Sequence, residues 1–373
     1  KVKSVPYKGM VDDGIAYVRL TRFTRNCASE VEQAILELTD ENDVKGLVLD
    51  LRGNPGGLLN ESVSLCNLFI DKNQEVVSTK GKIKDWEKSY KTMKEPLDKE
   101  LPLAVLINQS SASASEIVSG TIQDLDRGVV LGKKSFGKGL VQQTRKLSYN
   151  SQLKVTVAKY YTPSGRCIQA LDYTNKNEDG SVGKVADSLK TAFKTRNGRT
   201  VFDGGGVDPD IIIDQESFAK IVGSLISKQL IFDFATEFVL QNDSIEEPGV
   251  FKISDALYED FVMFLSDKEY EYETNTEKKM AELIDKAEDE YADFKEDLVV
   301  LQKKLLSYKE DDIHKYQSQI SELILSELMA RYYYQEGRVI ASLADDTVLK
   351  EAISVLHDSD RYEAILSGNL DDK

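Results

Sequence analysis

The sequence predicts an α/β protein in which a core sheet with flanking helices is followed by a mostly α-helical carboxyl-terminal region. The near-continuous apolar runs at residues 46–51 and 101–107 are typical of parallel strands that are buried on both faces. Apolar residues at helical spacing lie between such runs, and strands that alternate with helices indicate an α/β sheet. From Ser217 onward only the helical spacing remains.

The first 213 residues supply the elements of this sheet in order. The segments predicted as strands or extended runs are residues 15–20, 46–51, 101–107, 129–131, 140–147, 153–161 and 207–213. The segments predicted as helices are residues 31–38, 63–70 and 111–125. Residues 170–206 are poor in apolar side chains, which predicts an exposed excursion with one short helix.

The charge of the chain divides it into two parts. The 373 residues include 64 acidic and 48 basic side chains, a net charge of −16. Residues 1–215 have a net charge of +3, whereas residues 216–373 have a net charge of −19. We therefore expect an α/β core at residues 1–215 and an acidic helical region at residues 216–373, meeting near Gln215. Such acidity opposes binding to nucleic acid and to anionic membranes, so we expect neither as a partner.

The cysteines and histidines argue against several kinds of site. Cys27, Cys66 and Cys167 lie far apart and form no Cys-x-x-Cys pair, so neither a zinc site nor a disulfide framework is indicated. The two histidines, His314 and His357, lie in the acidic helical region, far from the glycine-rich and serine-rich loops. We therefore expect no Ser–His–Asp triad and no two-histidine metal site, and a hydrolase built on the α/β core needs another base.

A cluster of serines follows the second buried strand. Residues 110–116 (SSASASE) stand where that strand turns into a helix, whose first backbone N–H groups are free to hold an oxyanion. Serines at such turns also serve as helix caps, so the cluster alone does not identify a nucleophile.

The segment GKKSFGKG, which contains Lys138, permits three interpretations. The first is a phosphate-binding loop of the form Gly-x-x-x-x-Gly-Lys, but Gly139 stands where a Ser or Thr ligand of magnesium is needed. The second is the Ser135-x-x-Lys138 spacing of penicillin-recognising acyl enzymes, which requires a helical turn that the flanking glycines oppose. In the third, Lys138 pairs with a serine elsewhere in the chain.

A lysine acts as a general base only when it is uncharged at the working pH. Burial disfavours the charged form, and a lysine framed by glycines beside a strand can point into a pocket that excludes water. A neutral amine then takes the proton of a hydroxyl nucleophile and later returns it to the leaving amine. We expect Gln142, four residues after Lys138, to hydrogen-bond this amine without favouring its charged form.

The segment SASASEIVSGTIQDLDRGVVLGKKSFGKGLVQ closely resembles the core of the carboxyl-terminal processing peptidases, relatives of the tail-specific protease. The resemblance implies a Ser/Lys dyad in which Ser113, three residues before the glutamate, is the nucleophile. The base of this dyad is then Lys138, in the Phe-Gly-Lys-Gly motif, and Gln142 supports it. The separation of 25 residues between serine and lysine is also that of the family.

The segment LDLRGNPGG at residues 49–57 resembles the second signature of the same family. In the family, one glycine amide of this motif and the amide after the nucleophile form the oxyanion hole. These positions fall on Gly56 or Gly57, which the sequence does not distinguish, and on Ala114. YYTPSGRCIQ and GGGVDPDI match further family stretches, so the resemblance covers roughly residues 11–213.

The resemblance implies a crotonase-like (ClpP/crotonase-type) core and a serine endopeptidase that works through an acyl-enzyme intermediate. Its substrates are proteins or peptides with accessible carboxyl-terminal tails, and it needs neither a metal nor an organic cofactor. The family works mostly in the bacterial cell envelope, and we expect the periplasmic side. The family also carries a PDZ domain before the strand at residue 15; about ten residues precede that strand, so we expect this domain to be absent from the chain.

Two other functions remain open from the sequence alone. Without a PDZ domain, the chain is also compatible with a catalytically idle tail-binding or scaffold module of the same fold. A nucleotide-binding protein that uses GKKSFGKG is the other alternative. For the acidic helical region, a solvated bundle and a homodimer contact are equally compatible with the pattern.

Overall fold

The computed structural model of the chain describes residues 3–84, 87–176, 179–214, 218–290 and 292–369. The chain divides into two compact units. The sheet unit comprises Lys1–Asp214 and Asp346–Lys373, and the helical unit comprises Gln215–Asp345. Gln215 and Ser217, at which we placed the break and the start of the helical pattern, lie outside the described residues.

The elements of the described residues agree with the predicted α/β core and helical region. The strands are β1 (Tyr7–Asp12), β2 (Ile15–Arg19), β3 (Gly46–Asp50), β4 (Glu75–Lys80), β5 (Lys88–Lys91), β6 (Leu103–Ile107), β7 (Val129–Gly132), β8 (Leu140–Lys146), β9 (Gln152–Tyr161), β10 (Leu171–Lys176), β11 (Val182–Lys184), β12 (Ala192–Lys194), β13 (Thr200–Phe202) and β14 (Ile211–Ile212). The helices are α1 (Cys27–Glu41), α2 (Leu59–Cys66), α3 (Ala114–Asp124), α4 (Lys220–Ser227), α5 (Leu230–Gln241), α6 (Asp255–Phe264), α7 (Asn275–Glu290), α8 (Ala292–Glu310), α9 (Asp312–Lys315), α10 (Gln317–Leu343), α11 (Thr347–His357) and α12 (Ser359–Ser367).

A six-stranded sheet forms the centre of the sheet unit, in the order β1-β2-β3-β6-β7-β14. β1 runs antiparallel to β2, and the remaining neighbours are parallel. The parallel strands predicted at residues 46–51 and 101–107 are thereby confirmed. Successive side chains of a strand point to opposite faces, and every residue of β3 and β6 is buried, so both faces of the sheet must be covered.

Two different sets of helices cover these faces. The helices α1, α2 and α3 share one apolar core with alternate residues of the strands, among them Leu47, Leu49 and Val105. The opposite face is covered by α11 and α12, which lie against β3, β6 and β7. The Leu103 N–H donates to the phenol oxygen of Tyr362 at 3.0 Å, which fixes α12 to the sheet.

The position of α11 and α12 corrects the predicted domain division. We expected residues 216–373 to form one helical region, but residues 346–373 belong to the sheet unit. The physical reason is that β3 and β6 are buried on both faces, and α11 and α12 lie against the face opposite α1, α2 and α3. A helical periodicity shows that a segment has an apolar face, but it does not show which partner covers that face.

A second, four-stranded antiparallel sheet in the order β5-β4-β9-β8 carries the extended runs predicted at residues 140–147 and 153–161. The excursion at residues 170–206 differs from the prediction of one short helix. Apart from residues 177–178, which lie outside the described part, it holds two antiparallel ribbons, β10 with β11 and β12 with β13. Its one helical element among the described residues is a three-residue 3-10 turn, Asp187–Leu189.

The helical unit contains α4 to α10 and has a core of its own. Its buried members include Leu225, Phe234, Phe261, Ile324 and Leu328. In the described part of the chain, no helix combines the length and the apolar character that crossing a bilayer requires.

Candidate active site

Two loops meet at the edge of the six-stranded sheet where the parallel strands β3 and β6 end. Asn54, whose side chain is fully buried, joins them. Its backbone carbonyl accepts hydrogen bonds from the Ala112 N–H at 3.0 Å and from the Ser115 hydroxyl at 2.9 Å. Its side-chain amide donates to the carbonyl of Leu20 at 2.8 Å. Asn54 lies in the LDLRGNPGG motif, but the motif does not indicate that this residue joins the two loops.

Ser113 occupies the turn between β6 and α3. Its backbone has φ 56° and ψ −111°, a conformation that residues other than glycine rarely adopt. Such strain costs about 1–3 kcal/mol and persists only where the surroundings impose it. The predicted nucleophile is therefore held in a strained turn at the start of α3, directly before Ala114, the first residue of that helix.

The candidate oxyanion hole lies beside this turn. Gly56 has φ 94° and packs so closely that a β-carbon there would lie 2.5 Å from the Ala112 carbonyl oxygen and 2.8 Å from the Ala114 nitrogen. The Gly56 N–H donates to the side-chain oxygen of Asn54 at 2.9 Å, whereas Gly57 is exposed. Among the described residues neither the Gly57 N–H nor the Ala114 N–H has a hydrogen-bond partner. The sequence did not distinguish Gly56 from Gly57 as the oxyanion donor; of the two, Gly57 has the unpaired N–H group.

The segment that carries Lys138 runs alongside the serine turn. The Phe136 N–H donates to the carbonyl of Ser111 at 3.0 Å, which joins the two segments. The side chain of Lys138, however, is exposed, and the expected pocket that excludes water does not enclose it in this structure. This expectation is corrected: the glycines on either side let the backbone approach the serine turn, but they do not determine where the lysine side chain points.

Gln142 also differs from its predicted contact. Its amide nitrogen lies 3.5 Å from the hydroxyl oxygen of Thr156, its cross-strand neighbour on β9, and among the described residues it forms no hydrogen bond with Lys138. Lys138 precedes β8, whose first residue is Leu140, so the strand alternation that directs the side chain of Gln142 does not extend to the lysine. A spacing of four residues from Lys138 therefore does not put the two side chains together.

Glu116, which in the motif only marks the position of the nucleophile, connects the serine and lysine segments. Its Oε2 accepts from the N–H groups of Ser113 and Lys138, both at 2.8 Å. Its Oε1 accepts from the hydroxyl of Ser135 at 2.6 Å and from the N–H of Gly137 at 2.7 Å. A sequence signal for this role existed, because a glutamate three residues after a serine is typical of a helix cap.

Tyr160 is a second residue that the sequence analysis did not assign. It is buried at the end of β9, and its hydroxyl donates to the backbone carbonyl of Lys138. Burial raises the pKa of Tyr160 well above its ordinary value, and a hydrogen bond from the Ser113 side chain acts in the opposite direction. The phenol is therefore close to both candidate catalytic residues.

The described residues hold no group of three or more His, Cys, Asp or Glu side chains that is arranged to bind a metal ion. The free N–H groups, the strained serine and the buried carboxylate instead suit acyl transfer, in which a hydroxyl attacks a carbonyl and backbone amides hold the oxyanion.

Comparison with known families agrees with this chemistry. Residues 14–178 match the model described as "Peptidase family S41". Residues 221–356 match the model described as "Probable PDZ-protease, C-terminal helical domain". The peptidase match lies within the sheet unit, and the resemblance to carboxyl-terminal processing peptidases that the motifs indicated is confirmed.

The curated relatives carry names of the same kind. The "Carboxy-terminal-processing protease" of Bartonella bacilliformis is 44% identical over 177 residues, which are 47% of this chain and 40% of that protein. The "Probable CtpA-like serine protease" of Staphylococcus haemolyticus is 43% identical over 170 residues, which are 45% of this chain and 33% of the relative. The chain thus spans less than half the length of these relatives.

Among solved structures, the photosystem II D1 C-terminal processing protease is similar to this chain. It has 32% sequence identity and a TM-score of 0.41, with 54% of this chain and 42% of that chain covered.

Proposed function

We propose that the chain is a serine endopeptidase that cleaves protein substrates near their carboxyl termini. Ser113 is the nucleophile in this proposal, Lys138 is the general base, and the six-stranded sheet with its helices is a crotonase-like core. The observation that carries the proposal is the carboxylate of Glu116, which binds the backbone N–H groups of both Ser113 and Lys138 at 2.8 Å. The two segments that the family motifs pair are thus in direct contact with one side chain.

The proposed reaction has two halves. The Ser113 hydroxyl attacks the scissile carbonyl, and its proton passes to the uncharged amine of Lys138. The amine then gives this proton to the departing amine of the substrate, which leaves an acyl-enzyme ester on Ser113. In the second half, a water molecule loses a proton to the same lysine and attacks the ester, and the proton returns to the Ser113 oxygen.

The N–H groups of Ala114 and Gly57 are the proposed oxyanion donors. Both are free among the described residues, and Ala114 directly follows the nucleophile. The loss of a single donor of this kind typically costs a factor of about a hundred to a thousand in kcat. Gly56 supports the hole indirectly, because its N–H binds the Asn54 side chain and its backbone packs on the serine turn.

The side chain of Lys138 must turn inward before it acts, because it is exposed in this structure. Its backbone is already fixed by Glu116, so rotation about side-chain bonds is sufficient for this step. We propose that a bound substrate covers the amine and removes it from water, which favours its uncharged form. Catalytic contacts often tighten only when substrate is bound.

A dependence of the rate on pH follows from this inward rotation. Activity is expected to rise from mildly acidic to alkaline pH, because a general base acts only in its uncharged form. Initial rates measured from about pH 5 to about pH 10 test this. A rate that stays constant from about pH 6 to about pH 9 would exclude a lysine base.

Cleavage of a disordered protein by the 373-residue chain tests the proposed function directly. Mass spectrometry of the products is expected to show new carboxyl termini, and a fluorophosphonate probe is expected to label the peptide that contains Ser113. A chain that produces neither cleavage nor label is the idle tail-binding or scaffold module. A label on another serine would overturn the assignment of the nucleophile.

The substitution Gly56→Ala is expected to lower kcat/KM by at least about tenfold, because displacement of catalytic groups by about 1 Å can cost a factor of about a hundred. The new β-carbon would lie 2.9 Å from that of Ser113 and even closer to the backbone of the serine turn. Gly53→Ala is the matched control, since Gly53 has φ 72° and no atom within 4 Å of its β-carbon position. Equal activity of the two variants would contradict the packing role of Gly56.

The location and partners belong to the same proposal. We propose the bacterial cell envelope, on the periplasmic side, as the place of action, because the curated relatives quoted above are bacterial processing proteases. The proposed substrates are proteins with an accessible carboxyl-terminal tail. A homodimer through the helical unit remains a proposal that sedimentation at several protein concentrations would test.

A further inference from the structure

The carboxylate of Glu116 accepts more hydrogen bonds than a helix cap requires. In a capping box, a glutamate at this position accepts one bond, from the N–H of the residue three positions earlier, which here is Ser113. The three remaining donors are Ser135, Gly137 and Lys138, which belong to the lysine segment 19 to 22 residues further along the chain. One side chain thus fixes the backbone on both sides of the candidate active site.

From this geometry we infer that Glu116 is the positioning residue that sets the distance between the nucleophile and the base. The inference rests on the proposed function and deepens it. Glu116 touches neither the substrate nor the reacting atoms in this scheme. It acts through the backbone amides of Ser113 and Lys138, each bound to the same oxygen at 2.8 Å. A carboxylate has about four lone-pair sites, and the four donors use all of them.

The way in which Glu116 holds Lys138 leaves the amine free to act as a base. A carboxylate bound to the ammonium group would stabilise its charge and oppose general-base catalysis. Glu116 binds the backbone N–H of Lys138 instead, and within the described residues it forms no ion pair with any cation. The lysine is thereby positioned by a negative group that does not bind its amine.

Two further contacts support the same role. The Ser135 hydroxyl that donates to Glu116 also accepts from the Val207 N–H at 2.7 Å, which connects the carboxylate to the loop before β14. The Tyr160 hydroxyl donates to the backbone carbonyl of Lys138, in the peptide unit that follows the one bound by Glu116. The lysine backbone is therefore held at both its N–H and its carbonyl, while its side chain stays free to rotate.

The protonation of Glu116 is relevant to its function. Burial raises the pKa of Glu116 above that of an ordinary glutamate, and the four hydrogen bonds act in the opposite direction. A protonated carboxyl would replace an acceptor site by a donor and leave one of the four donors without a partner. The substitution Glu116→Gln imitates this state, because an amide also presents N–H groups to the surrounding donors.

The test compares Glu116→Gln, Glu116→Asp and Ser135→Ala with the matched control Glu61→Gln. Glu61 also accepts backbone N–H bonds at a helix start, from Asn26 at 2.9 Å and Ala28 at 3.2 Å, but it lies outside the site. Glu116→Gln is expected to lower kcat by at least about tenfold while KM changes less than about twofold, because misplaced groups affect the chemical step. Glu116→Asp keeps the charge and is expected to retain more activity than Glu116→Gln.

The control variant Glu61→Gln is expected to lower the melting temperature without a comparable loss of kcat. A folded Glu116→Gln enzyme with the kcat of the original chain would overturn the inference, and so would equal losses in Glu116→Gln and Glu61→Gln. If Glu116→Gln does not fold, Ser135→Ala is the deciding variant, because it removes one hydrogen-bond donor to the Glu116 carboxylate. An unchanged kcat in Ser135→Ala would then overturn the inference. Ser113→Ala is included as a reference, because full activity in that variant shows that the proposed function, not only the role of Glu116, has failed.

Discussion

Replacement of Ser113 by alanine is expected to lower kcat/KM for a disordered protein by at least about a thousandfold, because the acyl-enzyme then has no attachment point. Lys138→Ala is expected to lower it by at least about a hundredfold, the usual contribution of a general base. Lys138→Arg is expected not to restore activity, since a guanidinium stays charged at every working pH. Cleavage rates of the purified variants, with circular dichroism to confirm folding, provide the measurement.

Lys154→Ala is the matched control for the lysine variants. Lys154 is an exposed lysine on β9, the strand next to β8, and it makes no contact with the serine turn in the described structure. Its replacement is expected to leave kcat/KM within about twofold of the original, as is usual for surface substitutions. If Lys138→Ala kept the same activity as Lys154→Ala, Lys138 would not be the base.

Replacement of Asp50 by alanine is expected to cost about 3–5 kcal/mol in the free energy of unfolding, because it breaks a buried ion pair. Asp50 is fully buried at the end of β3. Its carboxylate accepts from the Tyr17 hydroxyl at 2.6 Å and from the guanidinium groups of Arg19 at 3.2 Å and Arg52 at 2.7 Å. Without Asp50, the Tyr17 hydroxyl and the Arg19 guanidinium lose this acceptor, while Arg52 keeps its ion pair with Asp346. Urea unfolding followed by circular dichroism measures the loss.

The loss on replacement of Asp50 is expected to depend on pH. Burial alone would raise the pKa of Asp50, but Arg52 and Arg19 outweigh burial and hold the pKa well below its usual range. Its folded-state pKa thus lies below the unfolded value of about 3.9, so its contribution is present above that pH and is lost as pH falls through the folded-state pKa. The difference in the free energy of unfolding between the original chain and Asp50→Asn is expected to shrink in acid.

Asp43→Ala is the control for this effect. It breaks an exposed ion pair with Lys45 and is expected to cost under about 1 kcal/mol in the free energy of unfolding at any pH.

The parallel strands could be predicted from the sequence because their apolar runs are physically distinctive. The runs at residues 46–51 and 101–107 have few polar side chains. Such a composition is typical of a parallel strand that is covered on both faces. The same runs are followed by glycine-rich and serine-rich loops, and parallel strands bring those loops to one edge of the sheet. The proximity of the LDLRGNPGG and SASASE segments could therefore be predicted.

The contacts within the site could not be predicted in the same way. The side chain of Gln142 lies against Thr156 of β9, and the sequence does not specify the register that pairs these two strands. The multiple bonds of Glu116 depend on how two loops approach each other, which is a property of the packed tertiary structure. The exposure of Lys138 depends on a side-chain rotation, which the backbone of a glycine-framed segment leaves free.

The helical unit at residues 215–345 interrupts a sheet unit that needs residues 346–373 to cover its second face. During synthesis, strands β2 to β7 leave the ribosome long before α11 and α12 do. One apolar side of the sheet therefore stays uncovered until more than a hundred further residues have been added. A nascent chain cannot complete its peptidase domain early, and any polypeptide that ends before α11 leaves this surface open to chaperones or to aggregation.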